Sequence, residues 1–482
     1  MLVGQVTQSM KDGVMKRLHI LVVLLSICFA NANTNANAQT QLPADTQQKV
    51  DKVATDALAK TGVPSASVAL VKDGQIVYLH AYGNARLDPA VPATPAMRYS
   101  IGSNSKQFTA TAILLLQEQG KLSLDDKVGK FIPDLTRANE VTIRQLLSHT
   151  SGYQDYWPQD YVMPAMLQPT TARKILDEWA RKPLDFEPGT KWQYSNTNYV
   201  IAGLIVEKAS GQPLLQFLQQ RIFAALNMKN VADIDKAKLG DTDPTGYLRY
   251  ALGPLRPAPK EGSGWLFAAG ELAMSAEDLA KWDIGIIDQK LLNPASYLQF
   301  ETEVLLKNGL GTNYGLGVDI HPDFGHRSVS HTGEVSGFTS KNLVFPDDRV
   351  AVVVLTNQDA SDVSEAIAEG IAPLLLASDD PATPAKLAQA KKIFEGLQHG
   401  TVDRSLFTAN ANFYFSEQAL KDFASGLAPL GTPEEFVEIK QELRGGMKMR
   451  LYSVKFAKAK LAVVTYEMPD GKLEQYQVVV ED

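Results

Sequence analysis
A serine and a lysine three residues apart, Ser103 and Lys106, stand at the head of an apolar segment, residues 107–119, that reads as a buried helix. Residues i and i+3 on a helical turn share a face. The helix N-terminus adds N–H groups without helical acceptors and a partial positive charge. One short segment thus supplies a nucleophile, a base beside it and an amide for a developing oxyanion. Taken alone, Ser-x-x-Lys occurs by chance, and a serine before a helix is ordinarily a cap. Tyr194-Ser195-Asn196 lies before a second helix. There a tyrosine can relay a proton and an asparagine can hold an amide, or the two can be a loop residue and a cap. His331-Thr332-Gly333 leads into a strand-like run. In an extended chain His331 and Gly333 would share a face, with the glycine admitting substrate close to the backbone. By itself this triplet is an ordinary turn.

The elements that must hold these residues are readable from pattern. Residues 67–71 and 75–79 form a hairpin, because Asp73-Gly74 suits a primed two-residue turn. A second hairpin joins residues 341–345 to 350–356 through Pro346-Asp347-Asp348. Between them the segments are mostly helical, at 106–119, 196–209 and 276–287. Strands at both ends with helices between them predict an antiparallel sheet built by the termini of residues 40–376, plus a helical insertion. Residues 377–385, with Asp379-Asp380-Pro381 and Pro384, read as a linker. Beyond it, residues 386–482 read as a small α+β domain: an amphipathic helix at 385–398, then strands at 447–456, 460–468 and 472–480.

A length of 482 residues predicts two folded units, and a net charge of -7 without a basic run argues against nucleic acid as a partner. Met15-Lys16-Arg17, the apolar run at residues 18–30 and the small residues Ala30, Ala32, Ala36 and Ala38 have the form of a secretory signal peptide over residues 1–38. That predicts a periplasmic or secreted protein with no transmembrane segment in the mature chain. Its removal takes Lys11, Lys16 and Arg17 against Asp12 and leaves a net charge of -9. The one cysteine, Cys28, lies in that run, and Ile27 before it is not the small residue lipidation needs. The mature chain would then carry neither thiol nor disulfide. The histidines show no metal spacing, so neither metal nor other cofactor is assigned. The oligomeric state is not legible.

Taken together and in this order, Ser103-x-x-Lys106, Tyr194-x-Asn196 and His331-Thr332-Gly333 resemble the penicillin-recognising serine hydrolases. Residues 146–152, Leu-Leu-Ser-His-Thr-Ser-Gly, and 186–190, Phe-Glu-Pro-Gly-Thr, agree with that resemblance, which covers roughly residues 45–376. The resemblance implies a beta-lactamase/transpeptidase-like fold: an α/β/α sandwich with an antiparallel sheet, an all-helical lobe, and the cleft between them. It implies that Ser103 attacks a carbonyl, Lys106 takes its proton, Tyr194 protonates the leaving group and Asn196 holds the substrate amide. The oxyanion would rest on the backbone N–H groups of Ser103 and Glu334, with His331, Thr332 and Gly333 lining the site and Trp265 either a pocket wall or a core aromatic. The His-Thr-Gly triplet is similar to that of secreted D-alanyl-D-alanine carboxypeptidases and related D-peptidases and esterases. The C-terminal region resembles the cone-shaped nuclear-transport-factor-like fold.

These features predict a hydrolase acting on a small-molecule or peptide substrate: D-configured peptides, amides or small esters. A class C beta-lactamase-like enzyme and a non-hydrolytic acyl-binding sensor are the alternatives. Two carboxylates, Glu334 and Glu271, would repel a substrate carboxylate if they entered the cleft. His149, in a demanding His-Thr-Ser-Gly turn, reads as structural.

Overall fold
The structure is a computed structural model of the chain and describes residues 41–159, 161–236, 239–376 and 382–480. The leader at 1–38, with Cys28, and residues 377–381 of the expected linker lie outside them. Residues Pro43–Asp482 form one compact unit.

Seven antiparallel strands make the main sheet: β1 (Ser65–Lys72), β2 (Gln75–Leu87), β3 (Ala90–Pro92), β4 (Asp319–Asp323), β5 (His326–Val335), β6 (Phe338–Phe345) and β7 (Val350–Thr356). Their order across the sheet is β3-β2-β1-β7-β6-β5-β4, so the N- and C-terminal hairpins meet where β1 pairs with β7. The β1–β2 turn has both central residues left-handed, Asp73 at φ 53° and Gly74 at φ 73°, as a primed turn requires. All of β6 and β7 is buried. Such runs need cover on both faces. It comes from α1 (Ala44–Thr61), α4 (Ala276–Ile287) and α5 (Val363–Leu375), the last two both packed on β7 and α1 packed on α5.

Apart from α4, which returns to cover the sheet, the chain between β3 and β4 forms the helical lobe, around α2 (Ser105–Glu118) and α3 (Asn196–Ser210). It also holds a three-stranded sheet of Tyr99–Ser100, Leu272–Met274 and Val231–Asp233 and a short ribbon of Tyr247–Leu248 with Arg256–Pro257, so the lobe is not purely helical. Residues 105–116 of α2 are buried throughout, and one continuous core joins α2 and α3 to the sheet.

A second core lies in the C-terminal region. A meander of β8 (Glu435–Arg444), β9 (Met447–Lys455), β10 (Lys460–Glu467) and β11 (Leu473–Val480) packs against α6 (Thr383–Gln398) through Phe394, Phe436, Tyr452 and Val463. The helix α6 starts at Thr383, inside the expected linker 377–385, because Pro384 occupies a first-turn position where its missing N–H costs nothing. The strand β8 has no counterpart in the sequence reading; its mostly exposed, charged residues give no alternation to see.

Candidate active site
Ser103 sits in a single 3-10 turn, Gly102–Asn104, that runs directly into α2. The turn is held against β5 backbone to backbone. A Cβ on Gly102, at φ 51°, would come within 2.6 Å of Glu334 N, and one on Gly333 within 1.9 Å of Ile101 O. Ser340 Oγ donates to Ile101 O (2.8 Å) and receives Asn104 Nδ2 (2.8 Å). Two glycines and one serine therefore place the amide of Glu334 beside the nucleophile's turn.

Lys106, on the first turn of α2, is fully buried. Its Nζ lies 2.9 Å from Ser103 Oγ, 2.8 Å from Asn196 Oδ1 and 2.9 Å from Ala269 O. Burial pushes its pKa down to about 7, against the opposing pull of the Asp155 carboxylate. A neutral amine has two N–H donors and one lone pair. Asn196 Oδ1 and Ala269 O can only accept, so they take the donors, and the lone pair is left for the Ser103 hydroxyl. The same two acceptors that stabilise the amine thus aim it as a base. Tyr194 donates its hydroxyl to Ser103 Oγ at 2.8 Å, and burial holds its pKa well above the ordinary value, so it stays a proton donor.

Around these atoms lies a cleft of about 890 Å³ bordered by Ser103, Tyr194, Asn196, His331, Thr332 and Glu334 among others. A serine whose proton faces a buried amine and whose oxygen faces a phenol is equipped for acyl transfer. The beta-lactamase family model matches residues 50–375.

The chain belongs to the beta-lactamase family. It is 30% identical over 342 residues to Protein flp of Staphylococcus aureus (strain N315), a match covering 68% of this chain and 66% of that protein. This chain thus spans just under two-thirds of that relative's length. Penicillin-binding protein 4* of Bacillus subtilis is 27% identical over 396 residues, 79% of this chain and 85% of that one. Among solved structures, D-amino acid amidase of Ochrobactrum anthropi SV3 complexed with D-phenylalanine is 26% identical with a TM-score of 0.59, covering 68% of this chain and 98% of that one.

Several residues sit differently from expectation in this beta-lactamase-family chain. Trp265 is not a pocket wall: it is 8% exposed in the core, its Nε1 donates to Gln168 O (2.8 Å), and Leu266, Ala269 and Gly270 border the cleft instead. Gly333 faces Ile101, so its missing side chain admits the nucleophile's turn and not the substrate. His331 borders the cleft, but its Nε2 bonds Tyr314 OH (2.8 Å) and its Nδ1 bonds Thr332 O, leaving no ring N–H for substrate. Burial lowers its pKa, so it is neutral at pH 7. Asn196 gives its acceptor to Lys106 and an N–H to Asp155 Oδ2 (3.3 Å), which leaves one N–H for a substrate amide. Glu271 is buried away from the cleft, whereas Glu334 borders it and accepts the Ala360 N–H at 2.8 Å.

Two residues were not assigned to the site from sequence. Asp155 receives the N–H of Trp157 (3.1 Å) and of Asn196 (2.9 Å) and so fixes the asparagine that holds Lys106. His149 is fully buried at φ 57°, with its ring stacked 4.2 Å from that of Tyr194 and its Nδ1 accepting the Ser195 N–H at 3.1 Å. The strained backbone of the His-Thr-Ser-Gly turn was the only signal of it.

Proposed function
We propose that this serine hydrolase works through an acyl-enzyme on Ser103 and cleaves D-configured amides, peptides and small esters. The observation that carries the reading is the wiring of Lys106, whose only lone pair is directed at Ser103 by Asn196 and Ala269. Ser103 Oγ attacks the carbonyl as its proton passes to Lys106. The tetrahedral oxyanion rests on the amides of Ser103 and Glu334. Tyr194 hands its proton to the departing nitrogen or oxygen, and the phenolate left behind is reprotonated from the Lys106 ammonium, whose Nζ lies 4.9 Å from the centre of its ring. Water then repeats the sequence in reverse and frees the acid. The D-configuration rests on the likeness to D-amino acid amidase complexed with D-phenylalanine. The basic, apolar leader supports export to the periplasm or beyond.

A side-by-side panel of p-nitrophenyl esters, D- and L-phenylalanine amide, acetyl-D-Ala-D-Ala and nitrocefin tests the reading. Ester turnover with D-amide preferred over L-amide is expected. Ser103→Ala should lower turnover about a million-fold with the fold retained. Activity within tenfold of wild type in that variant overturns the mechanism, and rapid nitrocefin turnover moves the protein to the beta-lactamases proper.

A further inference from the structure
Four carboxylates border the cleft: Asp155, Asp319, Glu334 and Asp359. Three are engaged. Asp155 holds Asn196, Glu334 accepts the Ala360 N–H, and Asp359 accepts the Gly337 N–H at 2.9 Å. The carboxylate of Asp319 makes neither hydrogen bond nor ion pair among the described residues, yet it is half-buried. Its backbone is well fixed. It opens β4 opposite Ser330, next to His331, and bridges to Tyr314. Gly315 N to Val318 O (2.8 Å) and Ile320 N to Asn313 O (2.9 Å) close the turn that presents it. Its charge acts on both His331 and Tyr194.

No lysine or arginine among the described residues forms an ion pair with it. His331, the imidazole beside Asp319, is neutral with both nitrogens committed. Lys106 lies buried beneath Ser103. Lys341, which with Asp319 and Thr332 borders a second cavity of about 540 Å³, places its Nζ 3.4 Å from Ser330 Oγ and 3.8 Å from Glu365, and Arg249, which borders the cleft, donates to Thr61 O at 3.2 Å. At the Thr332 end of the cleft a substrate carboxylate therefore meets an aspartate that no ion pair neutralises.

We infer that Asp319 is a specificity-determining residue: it turns away substrates with a free carboxylate at the Thr332 end and admits uncharged or ammonium-bearing amides and esters. The inference rests on the Ser103 acyl-enzyme reading and narrows its substrate class, excluding efficient carboxypeptidase action. Like charges roughly 6 Å apart at an effective dielectric of ~40 lower binding about tenfold.

The test compares acetyl-D-Ala-D-Ala with its C-terminal amide, and Ser103 acylation by benzylpenicillin with that by its methyl ester, read by intact-protein mass. Wild type, Asp319→Asn and Asp319→Lys are run together, with thermal melts to show that each is folded. Wild type should favour the uncharged member of each pair by about tenfold or more. Asp319→Asn should narrow that ratio about tenfold, and Asp319→Lys should invert it. A wild-type preference for the carboxylates, or one ratio shared by wild type and Asp319→Asn, overturns the inference. p-Nitrophenyl acetate separates the two failures: if it too leaves Ser103 unacylated, the hydrolase reading falls, whereas ester turnover with an unmoved ratio removes Asp319 alone.

Discussion
Replacing Asp155 with asparagine should make the enzyme more active in acid. Lys106 serves as a base only when neutral, and its pKa of about 7 is a balance in which burial lowers the value and Asp155 raises it. With that pKa, about a tenth of the amine is neutral at pH 6, half at pH 7 and nine-tenths at pH 8. The kcat/KM of wild type should therefore rise about tenfold per unit below pH 6, about fivefold from pH 6 to 7, and level off near pH 8, because this parameter reports groups of the free enzyme. Asp155 and Lys106 flank the two ends of the Asn196 amide, at 3.3 Å and 2.8 Å. Carboxylate and amine are thus roughly 6 Å apart, worth about 2.8 kcal/mol at an effective dielectric of ~20, or about two pKa units. Asp155→Asn keeps an oxygen for the Asn196 N–H but removes the charge. Its acid limb should move down by about one to two units, so that at pH 6 the neutral fraction, and with it the acylation rate, rises about five- to ninefold. The assay is p-nitrophenyl acetate acylation from pH 5 to 10, with rates normalised to titrated Ser103. A wild-type midpoint near 10, or an acid limb that stays or rises in Asp155→Asn, would refute the reasoning.

Other outcomes follow from the same geometry. His149→Asn should be tolerated at φ 57°, where asparagine is at ease, but it removes the ring under Tyr194. Turnover per titrated Ser103 should fall at least about tenfold with KM little changed; an unchanged per-site rate would make His149 only a fold residue. Lys106 has a folded pKa of about 7 against 10.5 for a solvated lysine, so between those values the unfolded chain binds a proton that the folded chain excludes. Wild type should therefore lose about 1.4 kcal/mol relative to Lys106→Met for each unit that pH falls from 10.5 to 7, and nothing further below 7. Urea titrations at pH 7 and 9 check this, and a gap independent of pH would contradict it. A chain ending at Asp380 should still be acylated at Ser103, since every residue bordering the cleft precedes it. A folded but unacylated truncation would show that the C-terminal region completes the site.

The chemistry was legible in the sequence wherever it is local. Ser103 and Lys106 are one helical turn apart, so the apolar run behind them fixes their shared face, and a two-residue primed turn announces β1 and β2 through Asp73-Gly74 alone. The triplet at His331 was visible too, but its meaning was not. Whether an imidazole faces substrate or protein depends on Tyr314, seventeen residues away, and on the commitment of its second nitrogen to Thr332 O. Glu271 and Asp319 make the same point from opposite sides. A carboxylate after Ala-Ala-Gly threatened the cleft and is buried away from it, while an aspartate without a motif borders the cleft with no ion-pair partner. Residue type and spacing settle what a group can do when its partners are within one turn or one hairpin. Lone pairs, desolvation and uncancelled charge are set by neighbours from distant segments, and only the tertiary structure brings those together.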